Sequence, residues 1–339
     1  MERVQPDLSR RRLIPKLSFG NARRGLGLLV VGVALAICTA AHAQTKPVRI
    51  IVPYPAGGTQ DAMMRALQEP LGKRLEQQVI IENRPGAAGM IGTQEVQRSA
   101  PDGATLGLVN NGMVITPLIT RGVNLELEKD LTPISLIAAG PLVLFAHPSV
   151  PAESVSQLLD YAKKQPNGLN YGSTGPGGLG HMTAELLARQ SGSPLTHVPY
   201  KGNAPAMMAV LAGEVQFVIS TVSDTTNQNV KAGKLKALAV STLEPSPAVP
   251  GLPAISASVP GFGVTAWFGF VAPPGTPETV VRRLNAAIAE VMALGDVRQR
   301  FMDFGLVAEA TGPATFRDTI LQEGAKWRPV VQAAKIRVE

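Results

Sequence analysis

Val48-Arg49-Ile50-Ile51-Val52-Pro53-Tyr54-Pro55-Ala56-Gly57-Gly58-Thr59-Gln60-Asp61 is the stretch on which the fold turns. A β-branched run passes through proline and glycine punctuation into a helical spacing of apolar residues: Ala62, Met63, Leu67, Leu71 and Leu75. That order reads as strand, loop, helix. Glycines let a backbone come close to a ligand, and a helix start presents unpaired N–H groups at the positive end of its dipole. Two readings follow from the segment alone. One is an ordinary β-to-α connection with Asp61 in the first helical turn. The other is a cradle for a carboxylate or another small anion.

Downstream the alternation continues. Strand-like runs cover 79–82, 105–109, 134–146, 169–173, 195–198, 215–220, 235–241 and 264–272. Helical patterns cover 92–99, 155–164, 180–190, 204–212 and 226–232, with 279–293, 296–304 and 313–334 in the tail. This order predicts an α/β fold with largely parallel sheets. The runs 134–146 and 264–272 are unusually long and are read as crossing between two domains. The middle of the chain then forms a second domain inserted into the first, with a cleft near the carboxyl ends of the strands.

Upstream, residues 1–43 read as a signal peptide. Arg3, Arg10, Arg11, Arg12, Lys16, Arg23 and Arg24 precede an apolar run at 26–39, and Ala41-His42-Ala43 gives a cleavage pattern before Gln44. The run is short for a bilayer span. Ser9-Arg10-Arg11-Arg12-Leu13 resembles a twin-arginine signal but lies far from the apolar run, so the general export pathway is the expected route. Cleavage would remove Cys38, the one cysteine, and with it disulfides, thiolate metal sites and cysteine nucleophiles.

Charge is reweighted by the same cut. The whole chain carries 32 Lys/Arg against 25 Asp/Glu, a net +7. Removing the leader's seven and two leaves 25 against 23 in 296 residues. A net +2 without a basic patch interleaved with aromatics gives no case for nucleic acid.

Tyr171-Gly172-Ser173-Thr174-Gly175-Pro176-Gly177-Gly178-Leu179-Gly180-His181 is the second loop that follows a strand and opens a helix. It contains G-x-G-x-x-G, yet Pro176 removes a donor and no acid stands about twenty residues on, so no dinucleotide cofactor is expected. His181 reads as a base, an anion donor or a hydrogen bonder at the helix start. With Ser173 it makes an exported hydrolase the alternative reading, although no G-x-S-x-G surrounds Ser173 or Ser220. The histidines left after cleavage, His147, His181 and His197, have no i+3 or i+4 partner, so no metal is expected. Further cleft candidates are Asn110-Asn111-Gly112-Met113, His197-Val198-Pro199-Tyr200-Lys201-Gly202 and Ser220-Thr221-Val222-Ser223-Asp224.

These residues, in this order, resemble the substrate-binding proteins of tripartite tricarboxylate transporters, the Bug family of periplasmic receptors. The likeness covers essentially the whole chain after the leader. It is carried by Val52-Pro53-Tyr54-Pro55-Ala56-Gly57-Gly58, Glu82-Asn83-Arg84-Pro85-Gly86-Ala87, Pro101-Asp102-Gly103 and Leu169-Asn170-Tyr171-Gly172-Ser173. His197-Val198-Pro199-Tyr200-Lys201-Gly202, Ala232-Gly233-Lys234-Leu235, Trp267-Phe268-Gly269, Pro274-Gly275-Thr276-Pro277 and Lys326-Trp327 agree as well.

The resemblance implies a two-domain Venus-flytrap periplasmic-binding-protein fold with two crossover strands. Domain 1 would take 44–145 plus 262–339, and domain 2 would take 146–261. It further implies a periplasmic, non-enzymatic monomer that binds a small organic carboxylate and hands it to integral-membrane transporter subunits. Carried over, it nominates Tyr54, Ala56, Gly57, Gly58 and Asp61 on one side, with Ser173, Thr174, Gly177 and His181 facing them. Thr221, Asp224 and Trp267, with Met113 and Phe268, are candidates for the distal pocket, and Asn111 is a further ligand-binding candidate in the cleft. Asp61 is expected to order the loop rather than touch an anion. Where many relatives place an acid, this chain has Ser220-Thr221, so the expected ligand is a carboxylate without a well-bound ammonium group.

Overall fold

β1 (Val48–Val52) is buried along nearly its whole length, as a β-branched run in the middle of a parallel sheet requires. The computed structural model describes residues 46–338; the expected leader and its Cys38 lie outside the described residues. α1 (Thr59–Leu75) buries Met63, Met64, Leu67, Leu71 and Leu75 on one face. β2 (Val79–Asn83) pairs parallel with β1 on one side. After a 3-10 turn and α2 (Met90–Arg98), β3 (Thr105–Asn110) pairs parallel on the other. α3 (Asn111–Ile119), α4 (Leu127–Asp130) and β4 (Thr132–Gly140) follow.

The run 134–146 is two strands rather than one. It breaks at Gly140-Pro141-Leu142, where proline has no N–H for a ladder. Beyond the break the chain enters a second sheet as β5 (Val143–Ala146). α5 (Val155–Lys164), β6 (Leu169–Ser173), α6 (Leu179–Ser191), β7 (Leu195–Pro199), α7 (Asn203–Leu211), β8 (Phe217–Ser220), α8 (Asp224–Lys231) and β9 (Lys236–Val240) complete that lobe. The chain returns through β10 (Ala266–Ala272), α9 (Glu278–Met292), α10 (Gly295–Asp303), β11 (Val307–Ala308) and α11 (Pro313–Ala334).

Strand order is β11-β4-β10-β3-β1-β2 in the first sheet and β7-β6-β8-β5-β9 in the second. β1, β2 and β3 run parallel, as do β6, β7 and β8, so the loops that follow β1, β3, β6, β7 and β8 leave from carboxyl ends. Ser241, fully buried, ties the two connections between the sheets together. It donates its main-chain N–H to Leu142 O (2.8 Å) and its hydroxyl to Val264 O (2.7 Å), and its Oγ accepts Leu142 N–H (2.9 Å).

α11 divides its buried face between two cores. Phe316 and Ile320 pack with Trp267 and Val271 of the first sheet. Trp327, Val330 and Val331 pack with Leu144 and Phe217 of the second.

Candidate functional site

The opening loop is ordered from inside. Asp61 is only 3% exposed. Its Oδ2 accepts the Gly57 N–H and the Arg65 Nε–H, both at 2.9 Å. The bond from Arg65 holds the Asp61 carboxyl at about 2 against the opposing effect of burial, and the Gly57 N–H adds to it. Gly57 takes φ +83, which a side chain would make costly, and Gly58 caps α1 without offering a side-chain acceptor. The first-turn N–H groups of α1 therefore have no side-chain cap.

A depressed carboxylate contributes stability that is complete above its unfolded value, near 3.8, and is lost as pH falls toward 2. Asp61→Ala should remove about 2 kcal/mol of stability at pH 7. It should also flatten the loss of stability between pH 4 and 2 in urea titrations. An unchanged acid limb would show that Asp61 does not anchor the loop.

Tyr54 leads from this loop to the start of α3. Its hydroxyl accepts the Asn110 Nδ2–H at 2.7 Å, and burial pushes the phenol up to about 12, so it is a neutral hydroxyl at physiological pH. Asn110 in turn caps α3, its Oδ1 accepting Gly112 N–H at 2.9 Å. Asn111 is spent on structure. Its Nδ2 donates to Thr265 O (3.1 Å) and Glu323 Oε1 (2.7 Å), and its Oδ1 accepts Trp267 N–H (2.9 Å). With both amide protons used, its contribution to a ligand is its main chain at the first position of α3.

The facing loop hangs from two histidines. Gly177 N–H donates to His181 Nδ1 at 3.0 Å, and Ser173 Oγ lies 2.6 Å from His197 Nε2. The two imidazoles stack with centroids 3.7 Å apart and planes 12° from parallel. Glu185 Oε1 stands 3.7 Å from His181 Nε2 and accepts the Tyr171 hydroxyl at 2.5 Å. Burial, then the neighbouring His181, pull His197 down to about 4, with Glu185 opposing. Burial alone would raise Glu185; its bonds from His181 and Tyr171 outweigh that and hold it below the usual range. Ser173 is 3% exposed, its hydroxyl is tied to Gly175 and His197, and its histidine is not His181. The Ser173/His181 hydrolase geometry is therefore not present.

Between the loops lies a cavity of about 350 Å³ whose lining carries no charged side chain. The first turns of four helices reach it: Gln60 of α1, Asn111 and Gly112 of α3, Leu179 and Gly180 of α6, and Asn203 of α7. α6 and α7, like α1, are capped by glycine with no side-chain acceptor. Leu142, Ile219, Ala266 and Phe268 supply apolar wall, and Ser220 and Thr221 end β8 at the far side. Ser220 donates its hydroxyl to Asn203 Oδ1 at 2.7 Å. A second cavity of about 540 Å³ adjoins the first and shares Tyr54, Gly112, Thr174, Gly177 and Gly178 with it.

Of the residues nominated from sequence, Tyr54, Asn111, Thr174, Gly177 and Thr221 line the first cavity. Ala56, Gly57 and Gly58 are exposed and lie outside that lining, while Asp61, Ser173 and His181 sit behind it as buried supports. Asp224 opens α8 behind a Ser223–Thr226 capping box and does not line the cavity. Nor does Trp267, which turns into the core edge-on to Phe316, while its neighbour Phe268 faces the cavity, as alternation along a strand dictates. Gln60 and Asn203 were not nominated. Asn203 directly follows Gly202 and Gln60 stands two residues after Gly58, each at a helix start after a strand, a signal the sequence does carry.

A two-lobed α/β fold with an uncharged, donor-rich cleft at the carboxyl ends of its strands is that of a periplasmic solute receptor. The chain belongs to the tripartite tricarboxylate transporter receptor family, whose model matches residues 63–336. BugT of Bordetella pertussis is 30% identical over 311 residues, covering 91% of this chain and 95% of BugT. The solved periplasmic binding protein BugD superposes with a TM-score of 0.70 at 31% identity, over 86% of this chain and 99% of BugD. MatC of Rhodopseudomonas palustris, solved with bound malate, gives 0.69 at 31% identity, over 84% and 98%. The chain is thus a solute receptor and not an enzyme.

Proposed function

We propose that this receptor captures a small organic carboxylate between the 53–60 loop and the 174–180 loop and delivers it to the membrane subunits of its transporter. The observation that carries the reading is the convergence of four helix starts, three without side-chain caps, on one uncharged cavity. Each helix terminus contributes about 0.3–1 kcal/mol to an anion, up to about 2 when partly buried. Micromolar affinity needs about 8 kcal/mol. Four termini with the hydroxyls, amides and bridging waters reach that range, provided the two lobes close on the ligand.

The lobes in this reading are 44–142 with 262–339, and 143–261, the expected boundary at 145/146 moving back because β5 pairs wholly within the second sheet. The working protein is a periplasmic monomer released by cleavage after Ala43. It handles no nucleic acid. An ammonium group would find no acidic side chain among the lining residues, so we read the ligand as an organic acid rather than an amino acid.

Thermal scanning of the protein from Gln44 onward, against di- and tricarboxylates, aromatic acids and amino acids, tests this. A ligand present at about 100 Kd stabilises by about 2.7 kcal/mol, which raises Tm by about 4–5 °C in a protein of this size. Aspartate or glutamate binding tightly while simple organic acids do nothing would overturn the ligand class. Silence across every acid would overturn the carboxylate reading itself.

A further inference from the structure

We propose that His181 is a positioning residue which holds the 174–178 loop ready for ligand only while its Nδ1 carries no proton, so that carboxylate capture weakens in acid. The inference concerns regulation of the cavity described above and rests on that reading only for its second readout.

The geometry fixes the proton positions. Gly177 N–H points at His181 Nδ1, so that nitrogen must be the acceptor and the ring proton belongs on Nε2, toward Glu185. A proton arriving on Nδ1 would set N–H against N–H and release Gly177. Gly177 cannot relax freely when released. It holds φ +76, and a Cβ there would lie 2.0 Å from Ile119, so the loop packs directly on α3. On the other ring, Ser173 Oγ touches His197 Nε2 and also accepts the N–H of Gly175, so both ends of the loop are held through imidazole nitrogen.

Two features keep the pair from holding two protons at once. Rings stacked at 3.7 Å cannot both be cationic without strong repulsion. The surroundings are otherwise apolar: Phe217 from β8 stacks on Tyr171, and Ile115 and Ile119 of α3 belong to the same core. The titratable groups facing the pair are Glu185 of α6 and Tyr171 of β6. Glu185 alone favours a cation, and its hydrogen bond from Tyr171 draws off part of that charge.

The first readout needs no ligand. In protein labelled with 15N at glycine and histidine, the Gly177 amide should shift with the same midpoint as the His181 ring nitrogens as pH falls from 8 to 4.5. His181→Asn places Oδ1 where Nδ1 stood, so the Gly177 amide should stay bonded and become insensitive to pH. In His181→Leu the Gly177 amide should exchange with solvent at least 10-fold faster at every pH. A Gly177 amide indifferent to pH and to both substitutions would overturn the proposal.

The second readout uses malate, measured by calorimetry at pH 7.5 and 5.0 after correction for the acid's own ionisation. Wild type should lose at least threefold more affinity than His181→Asn. Equal losses in the two proteins would overturn the proposal. A protein that binds no organic acid at all fails the carboxylate reading, while the amide titration still decides this one.

Discussion

Trp327→Ala should lower the unfolding free energy by about 4 kcal/mol, the largest single loss expected from a substitution away from the cavity. Trp327 is fully buried on α11, within the core that gathers Leu144, Phe217 and Ile119. Truncation removes the transfer energy of the indole and leaves a void that close-packed neighbours fill only in part. It also strips a hydrogen bond, since Nε1 donates to Glu323 Oε1 at 2.5 Å. Glu323 is 4% exposed and also accepts Asn111 Nδ2–H, with Lys326 Nζ 3.7 Å from its Oε2. The indole thus braces the carboxylate that holds Asn111, and Asn111 opens α3 at the cavity. Scanning calorimetry should show Tm lower by about 5–8 °C. Trp327→Phe keeps most of the packing and loses the donor, so it should fall between the two. A drop under about 3 °C for the alanine variant would show that α11 does not brace the two lobes through this residue.

The strength of that expectation rests on contacts no local pattern displays. β1 was legible because a buried strand needs β-branched residues and nothing else competes for Val48-Arg49-Ile50-Ile51-Val52. α3 was not. Asn111–Ile119 holds Val114, Ile115, Thr116 and Pro117, a run that local propensity assigns to a strand or loop. Its helix is set by the Asn110 cap and by packing against α11, some two hundred residues later, which overrides propensity. The long run at 134–146 was legible as a passage between domains but not as two strands, because its apolar content is continuous and Pro141 alone marks the break.

The site divided in the same way. Glycine punctuation after strands marks where a backbone can meet a ligand, so both loops were visible. The direction of each side chain was not. Asp61 turns inward to Gly57 as its expected loop-ordering role requires, but Ser173 pairs with His197, and Asn111 spends its amide on Thr265 and Glu323. Trp267 and Phe268 differ by one position, and a period of two sends one to the core and the other to the cavity.

Gly180→Ala should cost at least 100-fold in affinity for any carboxylate the receptor takes, together with about 1–3 kcal/mol of stability. A Cβ at this position would stand 2.2 Å from the carbonyl oxygen of Ile219, a backbone atom at the end of β8 that no rotamer change can move aside. The start of α6 would have to retreat from the second sheet by about 1 Å to reach ordinary van der Waals distance. Gly177, Gly178 and Leu179 line the cavity on the same few residues of chain and must move with it. Helix propensity argues the opposite sign, since alanine is favoured over glycine inside a helix by about 1 kcal/mol. The direction of the change therefore separates steric from intrinsic effects. Gly295→Ala is the control: it opens α10 with open space around a Cβ and should be neutral or slightly stabilising. Calorimetric titration and thermal scanning of both variants give the two numbers. A Gly180→Ala protein that binds as tightly as wild type would place the start of α6 outside the ligand's reach and leave the clamp to the 53–60 loop and α3.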